Sequence, residues 1–294
     1  MTGIASEVYG PDRGTVVEAE GVRLDTFLDG PDGGEVVLLI SGLSRQRIEW
    51  PAALPRALHV AGLRTLTVDN RDVGRSTKLS DAPGDGPPYL LADMAADHAA
   101  VLDHHGIGRA HVAGMSMGGM IAQQLTIDHP DRVVSLTSVM STTGARDAGR
   151  PSEEAMAVLT RPAPTERAAF LDHAVESARV IGSPGLVDEA AVRERAAAAF
   201  DRGVDPKGIM RQLQAIMAGG DRSAALADVE VPTLVLHGDA DPLVTPSGAE
   251  ATAAAVPGAR LHWLAGMGHD LPAAFLPEIV GALVGHTRDA SRRG

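Results

Sequence analysis

The chain of 294 residues carries 26 Lys and Arg against 38 Asp and Glu, a formal net charge of -12. Hydrophobic residues make up 44% and charged residues 22%, which suits a globular chain and neither a disordered nor a fibrous one. The acidic excess argues against a phosphate-tracking surface, and an aromatic share of 3% supplies little base stacking, so no nucleic-acid partner is expected. There is no cysteine. Disulfides, thiolate metal sites, iron–sulfur clusters and a cysteine nucleophile are therefore excluded.

The opening stretch MTGIASEVYGPDRG has neither a basic start nor an apolar run, so it does not read as a secretory signal. No run approaches the roughly 18 apolar residues of a membrane span. The expectation is a cytoplasmic protein with no membrane partner.

Strands and helices then alternate. Residues 15–30 read as two short strands around Glu20-Gly21. Val36–Ile40 (VVLLI) is continuously apolar, as in a strand buried on both faces. A helix is predicted over Pro51–Val60, a strand over Arg64–Asp69 and a helix over Leu90–His105. Strands at His111–Met115 and Arg132–Met140 flank a helix at Met117–His129. Val231–His237, a helix near Ser247–Val256, Arg260–Leu264 and a helix from Leu271 onward complete the pattern. Such alternation predicts an α/β fold with a mostly parallel sheet covered on both faces.

The alternation stops between about Ser141 and Leu226, where Ala, Arg and Glu dominate. This stretch reads as helices inserted after the sixth strand. Residues 1–144 and 226–294 then form the core, and 145–225 a helical cap. Within it Val192–Phe200 reads as a solvated helix with one apolar side, and Ile209–Met217 as the helix better suited to face a pocket.

Gly114-Met115-Ser116-Met117-Gly118 is a G-x-S-x-G set directly between an apolar strand and a helix. A sharp strand-to-helix turn strains its central residue, and flanking glycines let the backbone pass without a Cβ clash. The serine hydroxyl then projects at the positive helix end. Serine needs a base to act as a nucleophile. Gly266-Met267-Gly268-His269 offers one on a loop after a strand, where sites assemble in parallel sheets. The base needs an orienting carboxylate. His237-Gly238-Asp239-Ala240-Asp241-Pro242 contains two candidates. Asp241 precedes a proline, which favours an extended conformation pointing off the strand end, whereas Asp239 suits a turn cap. The assignment is Ser116, His269 and Asp241. Of the other histidines, His98, His104 and His105 lie on or near a helix, while His111, His237 and His262 sit in or at strands. None has the spacing of a metal site, and neither metal nor cofactor is expected.

The chain order Ser, Asp, His is that of α/β-hydrolases. The chain resembles that superfamily over nearly its whole length, and within it the branch of the actinomycete aclacinomycin methylesterases and similar small-molecule esterases. The stretches that carry the resemblance are VVLLISG (36–42), VDNRDVGRST (68–77), RAHVAGMSMGGMIAQQL (109–125), PTLVLHGDADPLV (232–244) and GMGHDLP (266–272). Asp72 stands where many members have Gly, as in that branch. The resemblance implies an α/β-hydrolase fold with an eight-stranded sheet. It also implies an oxyanion hole from the backbone N–H groups of Met117 and Leu43, with Ser41-Gly42 replacing the common His-Gly pair.

The expected activity is serine hydrolysis of a carboxylic ester or lactone of a small, mostly apolar molecule through an acyl-enzyme. A cofactor-free perhydrolase or haloperoxidase-like enzyme on the same triad is the alternative, and a non-catalytic ligand-binding homologue is a third reading. A pocket of adaptable side chains is expected. Trp50, Met115, Leu243, Met210, Leu213 and Met217 are its candidate lining residues, with Met120 and Met140 more in keeping with core. Arg45 and Arg47 share the loop after Val36–Ile40 and read as solvated. The partner expected is the small-molecule ester, and the state is left open between monomer and homo-oligomer.

Overall fold

The computed structural model describes residues 14–79 and 86–293. The stretch read as lacking a secretory signal lies almost wholly outside them. The described residues form one eight-stranded sheet: β1 (Thr15–Ala19), β2 (Val22–Asp29), β3 (Val36–Ile40), β4 (Arg64–Val68), β5 (Ala110–Met115), β6 (Val133–Val139), β7 (Thr233–Gly238) and β8 (Arg260–Leu264). Their spatial order is β1-β2-β4-β3-β5-β6-β7-β8. β1 pairs with β2, and β2 with β4, in antiparallel fashion. All pairs from β4 to β8 are parallel.

The helices are α1 (Ala53–Val60), α2 (Leu91–His104), α3 (Met117–Asp128), α4 (Glu153–Thr160), α5 (Arg167–Ile181), α6 (Glu189–Arg202), α7 (Pro206–Ala218), α8 (Ser223–Leu226), α9 (Ser247–Ala255) and α10 (Leu276–Ser291). α10 begins five residues later than the sequence suggests, because the Phe275 and Leu276 N–H groups close turns on the Pro272 and Ala273 carbonyls before Pro277 takes its place in the first helical turn.

The apolar runs explain the layers. β3 and β7 are buried along their whole length. Alternate side chains of β3 serve opposite faces of the sheet. Leu38 and Ile40 pack in the layer of α2 and α3, while Val37 and Leu39 pack in the layer of α1 and α10. β8 is an edge strand, only half buried. No helix among the described residues is long and apolar enough to cross a membrane.

Helices α4 to α8 all lie between β6 and β7 in the chain. Polar side chains start three of them: Ser152 accepts from the Ala155 N–H, Asp188 from Ala191 and Asp205 from Lys207. Two clusters bind this segment to the sheet. In the first, Arg202 at the end of α6 meets Asp25 of β2 and Asp69 beyond β4, and Arg47 meets the same Asp25. Arg47 is thus buried and paired, not solvated as its loop position suggests. In the second, Arg211 of α7 holds both oxygens of Asp72 at 2.9 Å, and Tyr89 donates to Asp72 at 2.8 Å.

Asp72 has φ 70°, the left-handed conformation that favours glycine. The Asp72 carboxylate at this position anchors α7 through Arg211. Breaking a buried ion pair by removing one partner strands the other charge. Arg211→Met is therefore expected to lose about 3–5 kcal/mol of stability, measured as a lower urea midpoint.

Candidate active site

Strand order reverses at β3, which has β4 on one side and β5 on the other. Such a switch point opens a crevice at the carboxyl ends of the strands. The G-x-S-x-G turn sits there. Ser116 has φ 56° and ψ -122°, a sparsely populated conformation for a residue with a side chain. The turn is possible only without side chains beside it. A Cβ on Gly114 would lie 2.0 Å from the Gly118 carbonyl oxygen, and one on Gly118 would lie 2.1 Å from that of Ile40. Surrounding hydrogen bonds hold the strained residue. Its N–H donates to the Val139 carbonyl at 2.9 Å, and its carbonyl accepts from Gly119, Met120 and the Ser141 hydroxyl.

β7 and β8 bring the other two groups. Asp241 accepts the N–H groups of Leu243 and Val244 on Oδ1, at 2.8 and 2.9 Å. That fixes the carboxylate and leaves Oδ2 for His269 Nδ1, 2.7 Å away. His269 Nε2 lies 3.0 Å from Ser116 Oγ. A carboxylate only accepts, so Nδ1 carries the proton and Nε2 accepts from the serine hydroxyl. Asp239 takes the other role weighed for it, accepting the Gly266 N–H at 2.6 Å. His237 is buried beside Asp241, and its Nε2–H donates to the Val244 carbonyl at 2.7 Å. Burial lowers its pKa, which keeps it neutral.

The His269 loop leans on the inserted helices. The His269 N–H donates to the Ile181 carbonyl at 2.7 Å, and the Gly268 N–H to Ser183 Oγ at 2.9 Å. Ser183 in turn donates to Asp270. Sequence gave no sign of Ile181 and Ser183, because both contacts join positions more than eighty residues apart.

The loop after β3 lies against the serine. A Cβ on Gly42 would stand 3.2 Å from Ser116 Cβ. The next residue, Leu43, lines the same cavity as Ser116 and Met117. Ser44 follows at φ 62°. Beneath the loop, buried His98 Nε2 is 2.9 Å from Asn70 Oδ1, and Asn70 Nδ2 donates to the Ser41 carbonyl at 3.1 Å.

The cavity above these groups has a volume of about 900 Å³. Met115, Leu243, Leu213 and Met217 line it, together with Met117, Met120 and Met140. Two expectations fail. Trp50 is buried in the layer of α1 and α10 with Leu54 and Leu58, and its neighbours Glu49 and Pro51 reach the cavity instead. Met210 is 43% exposed and borders a separate shallow recess with Gln214. Met210 and Met217 stand two turns apart on nearly the same side of α7, so their place along the helix separates them: Met217 near its carboxyl end borders the cavity, as do Ile209, Leu213 and Ile216, while Met210 near its amino end borders the recess. Arg195, on the solvated-looking α6, also reaches the wall, as does Arg45. Burial, then the charge of Arg45, lowers the Arg195 pKa. No group of three or more His, Cys, Asp or Glu among the described residues could hold a metal ion.

This fold and this grouping of side chains describe a hydrolase of the α/β type, and the comparisons agree. The alpha/beta hydrolase fold family matches residues 35–272, and the chain belongs to that family. Rhodomycin D methylesterase DnrP of Streptomyces peucetius is 32% identical over 280 residues, covering 87% of this chain and 91% of its own. Among solved structures, Est816, described as an N-acyl homoserine lactone degrading enzyme, has a TM-score of 0.72. It is 26% identical and covers 92% of this chain and 99% of its own. A thermophilic esterase from Thermogutta terrifontis shares the fold at TM-score 0.74 and 24% identity, over 94% of this chain and 98% of its own. The resemblance to the actinomycete methylesterase branch therefore holds across most of the sequence.

Burial also sets a pH dependence. It lowers the His98 pKa to about 3, helped by Arg71, and that of His286 to about 4. Unfolded, both would titrate near about 6.5. Their contribution is complete above that value and is lost as pH falls towards the folded values. Each should steepen the loss by about 1.4 kcal/mol per pH unit between those limits. Urea midpoints followed from pH 7 to 4 should fall, and His98→Gln should flatten the slope.

Proposed function

We propose that the protein is a serine carboxylic-ester hydrolase acting on an ester or lactone of a small molecule. The observation that carries this reading is the continuous hydrogen-bonded line from Asp241 through His269 to Ser116, with the strained serine lining a cavity large enough for a small molecule. Similarity to a methylesterase over most of both chains supports the ester bond as the target. The lactone-degrading structural relative is consistent with the same chemistry on a cyclic ester.

Ser116 Oγ attacks the substrate carbonyl while His269 Nε2 takes its proton. Asp241 holds the Nδ1–H tautomer and stabilises the imidazolium. The oxyanion forms against the N–H groups of Met117 and Leu43. One such donor is worth about 3 kcal/mol, and its effect does not depend on the side chain that carries it. Collapse expels the alcohol with the proton from His269 and leaves an acyl-enzyme. Water activated by His269 then releases the acid. Residues 145–225 act as the cap that closes the cavity over the acyl and alcohol groups.

Ser116→Ala is expected to lower hydrolysis of an activated aryl ester by at least about a thousandfold, with circular dichroism and melting unchanged. A fluorophosphonate probe should label the native protein at Ser116 and leave the variant unlabelled. Retained turnover in the variant overturns the assignment.

A further inference from the structure

The loop that carries Leu43 is held from outside the sheet. Ser44 donates its N–H to Gln212 Oε1 at 2.9 Å, and Gln212 Nε2 donates to the Arg71 carbonyl at 2.9 Å. Gln212 is completely buried. One amide of α7 thus bridges the loop after β3 and the loop after β4. The helix has little room to slide. Arg211 grips Asp72, one residue from Arg71, and a Cβ on Gly208 would lie 2.8 Å from both the Cβ and the carbonyl oxygen of Asp72.

Ser44 itself sits at φ 62°, where a residue with a side chain is held by its surroundings. The hydrogen bond from its N–H to Gln212 is one such constraint. The peptide unit preceding Ser44 contains the Leu43 carbonyl, and the unit before that contains the Leu43 N–H. Releasing Ser44 therefore turns the donor aimed at the oxyanion.

We infer that Gln212 is a positioning residue that orients the Leu43 N–H towards the oxyanion. The inference rests on the esterase reading above. It assigns to the inserted helix a part in the chemical step, beyond covering the cavity. The same helix presents Leu213 and Met217 to the cavity, so the residue that orients the donor adjoins residues that meet the substrate.

The test compares Gln212→Met with the wild-type protein on a 4-nitrophenyl ester. Methionine matches the volume and removes both hydrogen bonds. The expected result is a fall in kcat of about 30-fold with KM within about twofold, because the donor acts chiefly in the transition state. A boronic acid forming a tetrahedral adduct with Ser116 should lose affinity by a similar factor. Gln214→Ala, on the exposed face of the same helix, should behave as wild type. If Gln212→Met does not fold, Gln212→Asn withdraws the same two groups by one methylene and should show the same split. A folded variant with kcat and boronic acid affinity unmoved overturns the inference, even if its melting temperature falls. In that case Ser116-dependent turnover by the wild type leaves the esterase reading standing. Absence of turnover in the wild type removes that reading itself.

Discussion

Two backbone contacts shape the site: Gly114 of β5 against the first turn of α3, and Gly118 of that turn against the end of β3. Backbone passes backbone at Gly114 and Gly118 with no space for a single methyl group. Only then does the chain turn sharply enough to lift Ser116 above the sheet. The conformation costs on the order of 1–3 kcal/mol. The Val139 carbonyl, two helical N–H groups and the Ser141 hydroxyl tie the residue in place. The rigidity that stores the strain also keeps the hydroxyl within reach of His269.

Around this fixed point, each group is oriented by a neighbour of a different origin. Asp241 is set by two N–H groups of its own turn. The His269 loop is set by Ile181 and Ser183 at the end of α5. The loop after β3 is set by Asn70 from below and Gln212 from the side. Two of these three supports come from the helices between β6 and β7. That segment belongs to the site as much as the strand ends do.

Buried ion pairs fix where the segment sits on the sheet. Arg202 and Arg211 reach from α6 and α7 to Asp25, Asp69 and Asp72, all buried. Desolvation consumes much of the Coulombic gain of such pairs, so their net stabilisation is modest. Their geometry is demanding, however, and an apolar contact would tolerate sliding that they do not. Beside the catalytic groups the cavity wall carries Met115, Met117, Leu213 and Leu243, side chains that adapt to shape, among charged and small residues.

Strands, most helices and the three residues of the hydrogen-bonded line are legible from residue order alone. Those signals are local. An apolar run such as VVLLI must be buried on both faces, glycines must flank a tight turn, and a His or Asp just past a strand must emerge at its carboxyl end. Asp72 was also visible, as a carboxylate where glycine is common, although its partner was not. What depends on contact between distant positions emerges only in the folded chain. Trp50 follows the loop in sequence yet turns into the core, and Met210 borders a separate recess although Met217, two turns along the same side of α7, borders the cavity. Arg47 reads as a loop cation until Asp25 meets it. Gln212 carries no signal at all in one dimension, because its two hydrogen bonds span 168 and 141 residues. An amide gains a role only from what the fold brings within 3 Å of it.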